Sequence, residues 1–210
     1  MKNLFILSFF LLIFSCSPTI YKSNNLVASK GVVKQVAILP YTVSIDSKRL
    51  PKGMTIETLK ASQEQTGYDM QNNSYTWFLK RSKNYTVDFQ DIDKTNAILR
   101  KANINTINDI NSRGKDEVCK LLGVDALISG KATMSKPMSE GAAVAVGLLI
   151  GAWGSTNNTT ITLAIHDNSS NLLWKYDWQG NGSVGSSPEK VTDALMRNAS
   201  KRFPYSKKYD

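Results

Sequence analysis

The sequence predicts an α/β (α+β) domain: a mixed sheet of about five strands flanked by helices, in the order β-α-β-α-α-β-β-β-α. Three observations predict it. Residues 126–134, 160–165 and 172–178 alternate side chains with the period of two that strands require. Residues 97–102 and 191–203 carry apolar residues at helical spacing. Val36-Ala37-Ile38-Leu39 is a short unbroken apolar run closed by Pro40, as in a strand covered on both faces.

The first strand is read over 32–40, and residues 44–54 as a loop with Pro51-Lys52-Gly53 as turn residues. From Thr55 to Lys83 the pattern is helical but polar. Ile56, Leu59, Met70, Trp77 and Phe78 share one face, and Gly67 weakens the middle. Tyr85 to Phe89 alternates and reads as a strand. Asp93 is expected to cap a helix carrying Ala97, Ile98 and Ala102. A second helix runs from about Lys115 to Leu122, with Gly123 as its stop. Ala126, Ile128, Gly130, Ala132 and Met134 then share one strand face, and Leu127, Ser129, Lys131 and Thr133 the other. Ile161, Leu163 and Ile165 alternate with Thr160, Thr162 and Ala164. The turn Asp167-Asn168-Ser169-Ser170-Asn171 leads back along Leu172, Trp174, Tyr176 and Trp178, which makes a hairpin. Ser186 or Ser187 caps the last helix, Pro188 sits in its first turn and Glu189 completes a capping box. Val191, Ala194, Leu195, Ala199 and Phe203 follow helical spacing, and Pro204 ends the run.

Residues 1–15 have the layout of an export signal. Lys2 is a short positive region, and Leu4 to Phe14 is apolar apart from Ser8. The run is too short to span a membrane, which takes about 20 apolar residues. Ile13-Phe14-Ser15-Cys16 resembles the bacterial lipobox, with a bulky Phe14 in the second position. That resemblance implies a diacylglyceryl thioether on Cys16 and a further acyl chain, such as palmitate, on its amino group. Each buried CH₂ contributes about 0.8 kcal/mol, so two or three chains anchor stably. Ser17, not Asp, follows the cysteine, which in the familiar sorting rules implies the outer membrane. The absence of an acidic export tract implies a domain facing the periplasm. Residues 16–30 are polar and read as a lipidated flexible tether. Residues 31–210 then form a single domain.

Composition narrows the chemistry. The chain has two cysteines and one histidine, which excludes a disulfide framework and a Cys/His zinc cluster. No cofactor is expected. The formal charge of +9 suits an anionic counter-surface. In an exported protein that surface is lipid headgroup, lipopolysaccharide or peptidoglycan, or no partner at all, and not nucleic acid.

Four segments are candidate sites. Gly141 to Gly154 is apolar and uncharged, and a helix there would align Ala143, Gly147 and Gly151, with Trp153 near its end. It is either a buried part of the core or a contact surface for a copy, a partner protein or the membrane. Gly180-Asn-Gly182-Ser-Val-Gly185 matches G-x-G-x-x-G, but too little chain follows to complete a dinucleotide-binding βαβ unit. Cys119 and His166 are the one pair that could suggest a thiol nucleophile. Their positions, in an apolar helix and at a strand end, read as core and surface. Asp91/Asp93 and Asp116/Glu117 read as caps and helix-start charges.

The opening strand VAILP, a helix, the stretch LGVDALISGKATMSKP, the hairpin TTITLAIHDNSSNLLWKYDWQGNGSVG and the closing KRFPY form a longer pattern. Over residues 31–205 it resembles the periplasmic lipoproteins related to the curli-secretion protein CsgG, the amino-terminal domain of TolB and LpoB. Within these it is most similar to lipoproteins of the Bacteroidetes type. The resemblance implies a non-enzymatic domain that binds other envelope proteins and carries over no catalytic residues. It does not extend to a pore, because no pair of spare ten-residue amphipathic segments is present. The function expected is therefore an accessory or assembly factor in an envelope complex serving secretion, transport or envelope maintenance. The alternatives are a carrier for lipid or another apolar ligand, and a peptidoglycan-modifying enzyme.

Overall fold

The alternating segments pair into one mixed sheet, and helices cover it from two sides. The computed structural model describes residues 18–46, 55–135, 158–180 and 188–209. Its strands are β1 (Thr19–Lys22), β2 (Gln35–Ile38), β3 (Thr42–Asp46), β4 (Asp88–Phe89), β5 (Ala126–Ser135), β6 (Asn158–Asp167) and β7 (Leu172–Gly180). Its helices are α1 (Asn25–Ser29), α2 (Ile56–Leu79), α3 (Ile92–Lys101), α4 (Ile107–Asn111), α5 (Lys115–Leu122) and α6 (Pro188–Ala199). The sheet order is β1-β7-β6-β5-β2-β4, with β3 also on β5. β2, β3 and β5 are parallel, as are β2 and β4; β5-β6-β7-β1 is antiparallel. The α/β class is as expected, and the sheet stays open.

Alternation assigns the two faces. Val36, Ile38, Ala126, Ile128, Ala132, Ile161, Leu163 and Ile165 point into a large core with Met70 and Phe78 of α2 and Leu195 and Met196 of α6. Ala37, Leu39 and Leu127 point the other way, against Leu99 of α3 and Val118, Cys119 and Leu122 of α5. The central strands are therefore apolar on both faces. β6 and β7 are apolar on one: Thr162, Lys175 and Asp177 lie on the wetter face, where the Thr162 hydroxyl donates to Asp177 at 2.5 Å. Phe203 fills the middle of an aromatic cluster, with ring centroids 4.9 Å from Phe78, 5.0 Å from Tyr85 and 5.6 Å from Tyr205.

Several boundaries differ from expectation, each for a local reason. Residues read as tether are built into the domain. Thr19–Lys22 pairs antiparallel with Trp174–Asp177, and Leu26 of α1 is buried. Ile20 between polar residues packs against the core, which outweighs the polar composition of the segment. Val32 and Val33 lie in the turn that follows α1, where the Val33 amide donates to the Ser29 carbonyl at 2.8 Å. Pro40 does not end the pairing. It has no N–H to give, so the chain leaves β5 for Pro40 and Tyr41 and rejoins it at Thr42. β3 thus occupies the start of the expected loop, and with β1 it raises the strand number to seven among the described residues.

Tyr41 explains that detour. Its ring lies over Gly130, where any Cβ would overlap it. Its amide donates to Gly67 O at 3.0 Å, and its hydroxyl bonds Ser74 at 2.5 Å. Gly67, expected to weaken α2, is what lets the helix approach Tyr41. Further along, only Asp88 and Phe89 of the expected 85–89 strand pair with β2, while Tyr85 bridges Ser206. The α3 cap is Asp91 rather than Asp93. Asp91 has extended backbone, and its carboxylate accepts from the amides of Asp93 at 2.9 Å and Lys94 at 3.1 Å. Asp93 lies in the first turn, where its charge suits the helix N-terminus. α4 was not foreseen; a capping box between Thr106 and Asp109 starts it. Gly123 ends α5 in the left-handed conformation, φ 67°, as expected.

Candidate functional site

The Cys119–His166 pair lies at one end of the sheet, and the described flanks of the other expected site segments lie toward the opposite end. Strand direction and register define these ends. Asp46 pairs with Ser135, Ser135 with Asn158, and Thr159 with Gly180. Three strands therefore finish and one begins at a single level. β1 begins near it, since Thr19 pairs with Asp177, three residues before Gly180. At the other end lie Gln35, Ala126, Asp167 and Leu172.

The second end carries an open cleft of about 590 Å³. Asp116, Glu117, Cys119 and Lys120 of α5 line it, with Gly123, Val124 and Asp125 from the α5–β5 turn and Asn168 from the hairpin turn. Packing of α5 on β6 brings Lys115 within electrostatic range of both Cys119, one turn along its own helix, and His166. The pair singled out from sequence is thus gathered in one region.

The environment of that pair opposes nucleophilic chemistry. Cys119 is fully buried. Burial first, then the carboxylates of Asp167, Asp116 and Asp125, push its thiol up to about 12, so it stays protonated at neutral pH. An activated cysteine needs the opposite shift. Burial, then Lys115, pushes His166 down, which keeps the imidazole neutral. Its Nδ1 is buried without a hydrogen-bond partner among the described residues.

The acids around the cleft are tied to backbone and turns. Asp125 accepts from the amides of Lys34 at 2.8 Å and Gln35 at 2.9 Å, which pins the start of β2 to that of β5. Asp116 accepts from the Ser170 hydroxyl at 2.6 Å, and that hydrogen bond, with its own backbone amide, holds its carboxyl below the usual range. Asp167 holds the hairpin turn, accepting from the amides of Ser169 at 2.9 Å and Asn171 at 2.8 Å. Among the described residues no group of three His, Cys, Asp or Glu could hold a metal ion. Nor is any helix there long and apolar enough to cross a membrane.

Cys16, Gly141, Ala143, Gly147, Gly151 and Trp153 lie outside the described residues. So do Ser186, Ser187 and all of the G-x-G-x-x-G stretch after Gly180, which the Trp178 ring covers. Their flanks are described. Two residues separate Cys16 from the start of β1, and the segment holding 141–154 leaves from Ser135 and returns at Asn158. What the sequence reading missed is this shared end. Its signal was the alternation in Thr19-Ile20-Tyr21-Lys22.

In comparisons with known proteins, the chain matches no protein-family model and no curated protein. Its fold is similar to that of the lipoprotein GNA1162 from Neisseria meningitidis, with a TM-score of 0.50 at 8% identity, covering 80% of this chain and 94% of that one. It is also similar to the PelC dodecamer from Paraburkholderia phytofirmans in two crystal forms. Those have TM-scores of 0.43 and 0.41 at 10% identity, covering 90% of this chain and 98% of each of those.

Proposed function

We propose that the chain is a lipid-anchored lipoprotein of the bacterial envelope, acylated on Cys16. Its α/β domain acts there as a non-enzymatic binding or assembly accessory factor in an envelope complex. The observation that carries this reading is Ile13-Phe14-Ser15-Cys16 at the end of an apolar run, directly before the strand that opens the domain. Two findings support it. The fold is similar to that of a protein described as a lipoprotein, and no described helix supplies another membrane anchor. The non-enzymatic part of the reading draws on the protonated thiol of Cys119 and the structural use of Asp116, Asp125 and Asp167. Outer-membrane placement with a periplasmic domain follows from Ser17 after the cysteine, and kinship with the CsgG, TolB and LpoB group from the sequence pattern.

The test is metabolic labelling with an alkyne fatty acid. Wild-type protein should take up the label and partition into detergent, and Cys16→Ala should do neither. Label retained in Cys16→Ala would overturn the anchor. A photocrosslinker at position 153 should then yield a discrete adduct with an envelope protein or a second copy. Crosslinks confined to the domain itself, with extractable lipid in the purified protein, would replace the assembly reading with that of a carrier.

A further inference from the structure

We infer that the domain stands end-on to the bilayer: the end of the sheet where β3, β5 and β7 finish is apposed to lipid headgroups, and the cleft end points away. This rests on the acylation of Cys16 proposed above.

Three independent measures of length carry the inference. The first is the tether. Only Ser17 and Pro18 separate Cys16 from Thr19. An extended chain advances at most ~3.6 Å per residue, so Thr19 lies within about 11 Å of the acylated residue. That is little more than the depth of one headgroup layer, roughly 5–8 Å. A tether through residue 30, as the composition suggested, would leave the domain free to tumble. A tether of two residues does not.

The second is the direction of β1. Its register, Thr19 with Asp177 through Lys22 with Trp174, carries the chain away from Cys16 and toward the cleft end. β6 runs the full height of the sheet in ten residues. At ~3.3 Å per residue this puts the two ends about 30 Å apart.

The third is α2. Phe78 near its C-terminus stacks on Phe89 at 4.8 Å, and Phe89 pairs with Val36 at the cleft end. Gly67 meets Tyr41 midway. From Gly67 back to Ile56 a helix rises about 16 Å, and five strand residues from Tyr41 to Asp46 cover about the same distance. Ile56 therefore stands level with Asp46, at the anchored end. It is 56% exposed, with exposed Lys60 one turn further on. A lone exposed isoleucine needs no explanation. Exposed Glu57 follows it and interacts with Lys60, so this end presents an apolar side chain with charges of both signs, a mixture suited to a headgroup layer.

The experiment uses full-length acylated protein in vesicles of phosphatidylethanolamine and phosphatidylglycerol. A fluorophore is placed through Ile56→Cys or Lys60→Cys at one end, and through Lys120→Cys or Asn168→Cys at the other. Cys16 is blocked by its thioether and Cys119 is buried, so labelling is confined to the new thiol. Flotation reports anchoring, and quenching by headgroup nitroxide lipids reports which end meets the bilayer. Quenching several-fold stronger at 56 and 60 than at 120 and 168 is expected. Flotation with equal or reversed quenching would overturn the orientation and leave the anchor standing. Failure of the wild-type protein to float would overturn the anchor, and the orientation with it.

Discussion

The two ends of the sheet are built differently. At the cleft end the chain turns within a few residues, and each turn is bonded. Gly123 closes α5, Asp125 ties β2 to β5, and Asp167 closes the hairpin with Ser170 in positive φ. At the opposite end, 9 residues lie between β3 and α2, and 22 between β5 and β6. Short bonded turns thus join the elements at the cleft end, and the long connections leave from the opposite end. Long connections of this kind are where function tends to reside. Cys119 and His166 belong to the first kind of region. The connection that holds 141–154 leaves from the second and returns to it, and β1 begins near it.

That contrast can be broken by mutation. The largest effect is expected for Phe203→Ala, which empties the centre of the aromatic cluster near the cleft end. A loss of about 3–5 kcal/mol should appear in urea unfolding. Gly130→Ala comes next. Its Cβ would overlap the Tyr41 ring, and displacing a ring bonded to Ser74 should cost about 1–3 kcal/mol in the same assay. Asp125→Ala removes the carboxylate that accepts the amides of Lys34 and Gln35 at the start of β2, and a loss of about 2 kcal/mol is expected. Hydrogen exchange at Lys34 and Gln35 should rise with it.

The anchored end should respond otherwise. Ile56→Ser is expected to change stability by no more than about 0.5 kcal/mol, because the side chain is exposed. It should weaken contact with anionic vesicles. A large stability loss at Ile56 would mean that this end also holds the fold. The smallest effect concerns Asp116. Its folded pKa is depressed, so its contribution is present above its ordinary value of 3.8 and is lost as pH falls through the lower folded value. Chemical shifts of Ser170 should titrate below that ordinary value, and Asp116→Asn should abolish the titration.

Legibility in the sequence follows the same division. The hairpin across 167–171 and the Gly123 stop were readable because turn chemistry and side-chain period are local properties. Asp91 was misjudged by two residues because either aspartate can reach a free helix amide, and the backbone angle at Asp91 chooses between them. β1 was missed because four residues carry too little pattern. β3 was missed because Pro40 normally ends a strand, and only the fit of Tyr41 over Gly130 shows why pairing resumes.

The sequence by itself determined the class of the fold and the faces of its strands, because period and turn residues act over short stretches of chain. The tertiary structure decided which segments pair and therefore which end of the sheet each connection leaves. That outcome depends on contacts between residues far apart in sequence: Thr19 with Asp177, and Tyr41 with both Gly67 and Gly130. These rest on volume and register, which no local pattern records.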